Sequence, residues 1–315
     1  MPGGGQYKPL SKSLEIEFLG RISLNVKNVL SRLGALLTYR TAIKELAFLL
    51  GIHISHMTVK RSCESVGEQA LKLEPKPIKF NKDERISLQV DGGRVNTDEG
   101  WKEVKVAIIA GNDSNKSLQM SRIDDHEKFM DEFASVVKKH GYHTHVKGTN
   151  AVNDGAKWIS DDLSRLFPEM PQVLDCYHYE EHLHETANKI FSEDDEQVKP
   201  WVKTLKDLAF ENKSEEIISC LQAQQNQFEN DSVKSESLRL LVGYTENNKN
   251  KILYGKFKEL GYEIGSGKIE GRIKAQMNTR IKSASIRWKT HNVKKVLALR
   301  DVYFNDQWEH LPMVA

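Results

Sequence analysis

Apolar residues recur every three or four positions through residues 14–71, and this spacing predicts amphipathic helices. A first helix is predicted over residues 14–32. A second ends at Gly51, and a third begins after the capping residue Ser55 and ends near Leu71. The apolar positions of the first two helices are Ile16, Leu19, Ile22, Val26 and Leu30, followed by Ala42, Leu46, Leu49 and Leu50.

The second and third of these helices, joined by a short glycine turn, have the outline of a helix-turn-helix. The helix after Ser55 would present Lys60 and Arg61 to a groove of DNA. An ordinary helical hairpin has the same outline and remains the alternative. We predict a helical, helix-turn-helix-like DNA-binding region over residues 1–80, which ends at the proline-containing linker Glu74–Pro77.

After the linker the pattern changes from helical spacing to strands. Residues 86–90 alternate between apolar and polar, and residues 103–110 and 117–123 are rich in strand-forming side chains. Helices then alternate with strands predicted at 144–152 and 171–175. This order of elements predicts an α/β fold with a mixed sheet and helices on its faces.

The last part of the chain is predicted to be mostly helical. Residues 178–260 have helical spacing throughout and are polar on average. A glycine-rich turn then leads into a helix with Ser266 as its predicted N-cap, and a final helix runs from about Thr290 to Tyr303.

Charge is segregated along the chain, although the formal net charge is only +2. Residues 1–80 contain 12 Lys and Arg against 6 Asp and Glu, and residues 249–300 contain 14 against 3. Residues 185–247, in contrast, contain 7 against 13. Two basic regions separated by an acidic one suggest a polyanionic partner, with solvated helix faces as the alternative for the N-terminal excess.

Composition excludes several classes of protein. No stretch approaches the ~20 apolar residues that a membrane span requires, so no membrane partner is expected. The first residues lack the apolar core of a signal peptide. The three cysteines, Cys63, Cys176 and Cys220, are scattered and form no CxxC pair. A reducing, cytoplasmic location is therefore expected.

Three acidic residues stand beside glycine at the ends of predicted elements. Asp91 follows the first strand, Asp154 follows another strand, and Glu270 lies in the first turn of a helix. Acids placed in this way can converge on a pocket that binds hard divalent cations, which prefer carboxylates and phosphate oxygens. Turn and cap roles are the alternative, because Asp-Gly is common in turns and acids are favoured in a helix's first turn.

Three sequence blocks occur in order around these acids: VDGGRVNTDEGWKEVKVAIIAG, VNDGAKWISDDLSRLFPEMPQVLDCYHYEEHL and GYEIGSGKIEGRIKAQMNTRIKSASIRWKTHNVKKVLALRDVYFNDQW. They resemble the three catalytic blocks of DDE transposases from prokaryotic insertion sequences of the Kra type, relatives of Mutator-like and hAT-like elements. The resemblance covers residues 38–310. Asn153 and Ser160 depart from the family, which more often has Gly and Trp at these positions.

The resemblance implies an RNase H-like mixed sheet with flanking helices over residues 81–184 and 263–315, interrupted by an all-helical insertion over residues 185–262. It implies cleavage and strand transfer of double-stranded DNA at element ends with Mg²⁺ or Mn²⁺. Such an enzyme would be nucleoid-associated and act as a homodimer or larger assembly on DNA.

By position, the resemblance assigns the catalytic and metal-binding carboxylates to Asp91, Asp154 and Glu270. The Asp-x-x-His signature of the family falls on Asp175 and His178, which would orient the metal ligands.

The third block also concentrates basic residues around Glu270, where positive charge could contact the DNA backbone. Lys274 could instead pair with Glu270 within one helix, since the two are four residues apart. Trp288 could stack on a base, wedge open the duplex, or lie in the core. The DNA-binding residues predicted here are Arg272, Lys274, Arg280, Lys282, Arg287 and Trp288.

His178 and His182 lie one helical turn apart, a spacing that can bind zinc. Tyr179 occupies the position of the glutamate in zinc proteases, however, and no third ligand follows. We therefore predict a structural or supporting role for the pair. The leading interpretation of the chain is a transposase. Its alternatives are an inactive DNA-binding remnant or regulator of an element and a nuclease that only hydrolyses DNA.

Overall fold

The computed structural model describes the two-residue strand Phe18–Leu19 and residues 22–282 and 286–311. The start of the predicted first helix, at residues 14–17, lies outside the described residues. The centre of the fold is one five-stranded sheet. Its strands in chain order are β1 (Ile86–Thr97), β2 (Gly100–Gly111), β3 (Ser117–Arg122), β4 (Thr149–Asn153) and β5 (Gln172–Leu174).

The strands lie in the order β3-β2-β1-β4-β5. Strand β2 runs antiparallel to both β1 and β3, whereas β4 is parallel to β1 and β5 is parallel to β4. The predicted mixed sheet of an α/β fold is therefore confirmed. Strand β4 pairs with β1 from Ile86 opposite Thr149 to Gln89 opposite Val152, so β4 ends beside the middle of β1, which continues to Thr97.

Helices cover both faces of the sheet. On one face, α4 (His126–Lys139) and α5 (Lys157–Leu166) pack against Leu88 and Val90 of β1. On the other, α11 (Gly267–Ile273) and α12 (Thr290–Phe304) pack against Val95 and Val104. Coverage of both faces explains why Ile86 to Val90 are all buried although their sequence alternates.

Strand β1 is longer than the sequence predicted. Asp91, Gly92 and Gly93 do not form a turn, because β1 and β2 stay paired up to Thr97 and Gly100. Asp91 therefore lies inside a strand rather than after it. The turn falls at residues 98–99, where the Thr97 hydroxyl donates to the Gly100 carbonyl at 2.7 Å.

Among the residues that the structure describes, three helices precede the sheet: α1 (Leu24–Leu36), α2 (Tyr39–Leu50) and α3 (His56–Ala70). The first starts later than predicted, because residues 22–23 pair with the strand at residues 18–19 and Ser23 caps the helix. Side chains of α3 share a hydrophobic cluster with α12. The linker is also held in place, since the backbone N–H of Lys76 donates to Gln307 Oε1 at 3.0 Å.

The predicted helical stretch consists of five helices that extend the core beyond the sheet edge. Their buried side chains form one cluster with Val152 of β4 and Leu174 of β5. No helix in the described ranges is long and apolar enough to cross a membrane. The five helices are α6 (Cys176–Ile190), α7 (Asp195–Phe210), α8 (Ser214–Gln227), α9 (Ser232–Asn248) and α10 (Tyr254–Glu259).

A buried carboxylate anchors α12 to the sheet. Asp301 accepts hydrogen bonds from the Gln119 amide at 2.8 Å and from the Ser121 N–H and hydroxyl at 2.8 and 2.7 Å. The Gln276 amide, in the π turn that follows α11, donates to the same carboxylate at 3.2 Å. Burial raises the pKa of Asp301 to about 6. The network couples the helix that carries Glu270 to strand β3.

Candidate active site

Asp91 lies two positions beyond Gln89, the last residue of β1 that pairs with β4, and both Asp154 and Glu270 are near enough to affect its pKa. Asp91 is half-buried, Asp154 directly follows β4, and Glu270 lies exposed in the first turn of α11. The pKa of Asp91 is raised to about 6, chiefly by burial and further by the negative charges of Asp154 and Glu270. The hydrogen bond from the Gly92 N–H and the charge of His178 act in the opposite direction and lower this pKa. Asp154, Glu270 and His178 thus lie near enough to Asp91 to affect its pKa.

These carboxylates are not drawn together at ligating distance. Within the described residues, no group of three or more His, Cys, Asp or Glu side chains is arranged to hold a metal ion. The kind of donor nevertheless fits a hard divalent cation, because all three side chains offer carboxylate oxygens. Burial is the main cause of the raised pKa of Asp91, and the negative charges of Asp154 and Glu270, which a cation would neutralise, add to it.

Asp154 is held by the tight turn between β4 and α5. Asn153 Oδ1 accepts the Gly155 N–H at 2.9 Å, and Asp154 Oδ1 accepts the Ala156 N–H at 2.9 Å. Gly155 has φ of +86°, a backbone conformation that favours glycine. The turn therefore fixes the direction in which the Asp154 side chain leaves the sheet edge.

Glu270 is positioned through the start of α11. The buried Gln89 of β1 accepts the Ile269 N–H through its Oε1 at 3.0 Å. Lys268 donates to the backbone carbonyls of Gly111 and Asn112, the latter at 3.0 Å. Both contacts tie the first turn of α11 to the strands beside Asp91, so a helix of only seven residues keeps a defined orientation.

Asp175 is buried, 1% exposed, and links α6 to α11. Its Oδ1 caps α6 by accepting the N–H groups of Tyr177 at 2.7 Å and His178 at 3.2 Å. Its Oδ2 accepts the Ser266 N–H at 2.8 Å and the Ser266 hydroxyl. That hydroxyl lies 3.3 Å from Glu270 Oε1. Asp175 therefore supports both the helix of His178 and the helix of Glu270.

Ser266 stands at the predicted N-cap position, but it does not cap the helix. Its side chain makes no capping hydrogen bond to α11. Its backbone, at φ −93° and ψ 12°, is outside the extended region that capping residues adopt, and its hydroxyl donates to the buried carboxylate of Asp175. The residue thus connects two acids of the site.

The histidine pair on α6 forms part of an aromatic stack. The rings of His178 and His182 are 4.8 Å apart, and His182 lies 4.4 Å from the ring of Tyr244 on α9. Burial, followed by the charge of His178, lowers the pKa of His182. His178 also approaches Glu181, with Nδ1 and Oε2 3.3 Å apart.

Two predicted DNA-binding residues belong to the core instead. Arg280 is 1% exposed, and its Nε donates to the Gly34 carbonyl at 3.0 Å. Trp288 is 7% exposed, and its Nε1 donates to the Ile281 carbonyl at 3.1 Å. Both prefer the core because their apolar surface is buried while their donors reach backbone carbonyls. The exposed tryptophan of this region is Trp101, at 68%.

The other predicted DNA-binding residues differ in accessibility. Lys274, Lys282, Arg287 and Arg61 are exposed. Lys60 is half-buried and pairs with Glu64 at 3.2 Å. Arg272 is also half-buried, with its guanidinium 5.7 Å from the ring centre of Phe304.

Gln89, Ser266 and Tyr244 act at this site without having been predicted to do so. Gln89 carried a usable signal, because a polar residue two positions before Asp91 shares its strand face. The sequence gives no comparable signal for Tyr244, because a helical spacing does not show which of its residues contacts a distant turn.

The raised pKa of Asp91 predicts a pH-dependent cost in stability. The folded protein holds this proton more tightly than the unfolded chain, so the free energy of unfolding should fall as the pH rises from 3.8 to about 6. Asp91→Asn removes that cost and should stabilise the metal-free protein by about 1–3 kcal/mol at neutral pH. Urea unfolding at pH 4 and pH 7 in EDTA measures it. If Asp91→Asn changes the free energy of unfolding by the same amount at pH 4 and at pH 7, the raised pKa of Asp91 is contradicted.

No protein-family model matches the chain, and no curated protein is significantly similar to it.

Proposed function

We propose that this protein is a DDE-type DNA transposase that cuts and rejoins double-stranded DNA with Mg²⁺ or Mn²⁺. The observation that carries the proposal is that Asp154 and Glu270 both affect the pKa of Asp91. The three acids come from a strand, a turn and a helix that are far apart in the chain. No local interaction brings Glu270 to the aspartates.

The sheet supports an RNase H-like core as the finer description of the fold. Such a core is expected to have three antiparallel strands followed by two parallel ones. Its acids are expected on the first strand, after the fourth strand and on a later helix, which matches the order of β1, β4 and α11 here. The five helices between β5 and α11 support a helical insertion over residues 185–262. Two DNA ends must meet during transposition, so we also propose a dimer or larger assembly in the cytoplasm at the nucleoid.

The proposed chemistry assigns separate tasks to the residues of the chain. Bound Mg²⁺ or Mn²⁺ would activate a water or 3′-hydroxyl and stabilise the leaving oxygen of the phosphodiester. Asp91, Asp154 and Glu270 would hold the ions, and Glu270, the exposed member, would have to move inward. Asp175 and Ser266 would restrain that movement through the contact between Ser266 and Glu270.

An inactive DNA-binding remnant is the second candidate. The specific observation in its favour is that the described carboxylates do not form a ready metal site. A nuclease that only hydrolyses is compatible with the same carboxylates. The three candidates differ in their products: joined strands, no cleavage, and cleavage without joining.

The deciding experiment incubates the purified chain with a duplex that carries a terminal inverted repeat from the DNA flanking its gene. We expect strand nicking that requires Mg²⁺ or Mn²⁺ and, with a target plasmid, joined products. Binding without cleavage at any divalent-ion concentration would favour the remnant. Cleavage whose 3′ ends never join would favour the nuclease.

DNA affinity should depend steeply on salt, because each phosphate contact on duplex DNA contributes a slope of about −0.9 to log K against log salt. Neutralising the exposed Lys274, Lys282 and Arg287 should flatten the slope by up to about 2.7. Fluorescence anisotropy at several salt concentrations measures this.

The matched control replaces Lys199 and Lys203, which are exposed cations on α7. It should leave the slope unchanged. If the slope changes equally in both variants, the region after Glu270 is not the DNA-binding surface.

A further inference from the structure

Tyr244 connects the helical segment to the turn that carries Asp154. It lies on α9, and its hydroxyl donates to the backbone carbonyl of Asp154 at 3.0 Å. The two residues are 90 positions apart, so the contact depends on how α9 packs. The bond goes to the backbone carbonyl, so Tyr244 does not occupy an oxygen of the Asp154 carboxylate.

The ring of Tyr244 also presses directly on Gly155. A Cβ atom built at Gly155 would lie 2.9 Å from the Tyr244 hydroxyl oxygen and 3.3 Å from its Cε2. Leu174 of β5 is as close, with its Cδ1 2.8 Å from the same Cβ atom, so a larger residue would displace the ring or Leu174, even apart from the positive φ of this position. The peptide between Asp154 and Gly155 is therefore held by a hydrogen bond and by direct packing together.

Neighbouring rings keep Tyr244 in this place. His182 lies 4.4 Å from it, measured between ring centres, and Tyr179 stacks on it at 6.3 Å with an angle of 22° between planes. Both neighbours belong to α6, the helix that Asp175 caps and that also carries His178. Because the rings of His182 and Tyr179 lie against it, moving the hydroxyl away from Asp154 would disturb these contacts.

We propose that Tyr244 is a positioning residue for Asp154. It orients the Asp154–Gly155 peptide, so that the carboxylate leaves the turn in the direction needed to hold a divalent cation. Among described residues only Ala156 donates to this carboxylate, through Oδ1, and Oδ2 stays available. The inference rests on the proposed function, because it treats Asp154 as a metal ligand. It gives the helical segment a direct part in building the site.

Tyr244→Phe removes the hydroxyl and leaves the ring, so it separates orientation from packing. Partners that orient metal ligands contribute about 10- to 100-fold to metal affinity or activity. We expect the dissociation constant for Mn²⁺, measured by calorimetry on the full chain without DNA, to rise by about 10- to 100-fold. In cleavage assays the Mn²⁺ requirement should rise equally, while the KM for DNA stays unchanged.

Tyr254→Phe is the matched control. Tyr254 is buried in the same helical core, but its hydroxyl has no hydrogen-bond partner among the described residues. The control deletes the same atom from the same cluster without losing a contact to the Asp154 turn. It should bind Mn²⁺ as tightly as the unaltered protein.

The outcomes separate this inference from the function on which it rests. If Asp154→Asn abolishes Mn²⁺ binding but Tyr244→Phe leaves it unchanged, the role of Tyr244 is overturned and the proposed function stands. Equal weakening by Tyr244→Phe and Tyr254→Phe would also overturn it, since a general loosening of the helical core would then be responsible. An unaltered protein that binds no Mn²⁺ would overturn the proposed function and this inference with it.

Discussion

Replacing any one of the three proposed metal-binding carboxylates should abolish metal-dependent DNA cleavage. Asp91→Asn, Asp154→Asn and Glu270→Gln keep the size of each side chain and remove the charge that holds a cation. Changes to residues behind metal ligands cost about 10- to 100-fold in affinity or activity. Loss of a ligand should therefore lower the cleavage rate by well over 100-fold, while DNA binding persists. A gel assay of nicking, paired with anisotropy for binding, measures both.

Asp161→Asn is the matched control for these variants. Asp161 lies exposed on α5, seven positions after Asp154 in the numbering, and pairs with Lys157 at 2.8 Å. Its loss should affect neither cleavage nor binding, because exposed ion pairs contribute little. Unchanged cleavage in one of the three carboxylate variants would remove that residue from the site. Parallel loss of DNA binding would show that the acids support the fold instead.

Local pattern was sufficient to predict most elements of the fold. Strands β2 and β3 and helix α12 lie close to their predicted bounds, because apolar spacing and turn residues act over a few positions. The extent of β1 was not predictable in this way. The local sequence Asp91-Gly92-Gly93 is typical of a turn. The segment stays extended because β1 and β2 remain paired up to Thr97.

The partners of buried polar residues were the least predictable feature. A stripe of apolar residues shows which face of a helix is buried but not which element covers it. Arg280 looked like a surface cation, yet its guanidinium meets the Gly34 carbonyl, 246 positions away in sequence. Glu270 affects the pKa of Asp91 from far along the chain. The placement of the acids at the ends of elements allowed such a convergence, and the resemblance named the residues, because no spacing rule joins a strand residue to so distant a helix.

Asp175 should be the most costly single residue to remove from this site. Asp175→Ala deletes the cap of α6 and leaves the N–H groups of Tyr177 and His178 and both donors of Ser266 without their acceptor. Loss of a cap costs about 1 kcal/mol and each buried donor left unpaired about 1–3 kcal/mol. We expect the free energy of unfolding to fall by about 3 kcal/mol or more, as measured by urea denaturation.

Two further variants separate the cap from the contact with Ser266. Asp194→Ala removes an exposed aspartate that caps α7, so it should cost about 1 kcal/mol without changing cleavage. Asp175→Asn keeps an oxygen for the cap of α6 but turns an amide donor toward the donors of Ser266. Because Ser266 contacts Glu270, this variant should lose cleavage activity out of proportion to its stability. If Asp175→Asn stays fully active, or if Asp175→Ala costs no more than Asp194→Ala, Asp175 is an ordinary helix cap and the link to Glu270 has no functional role.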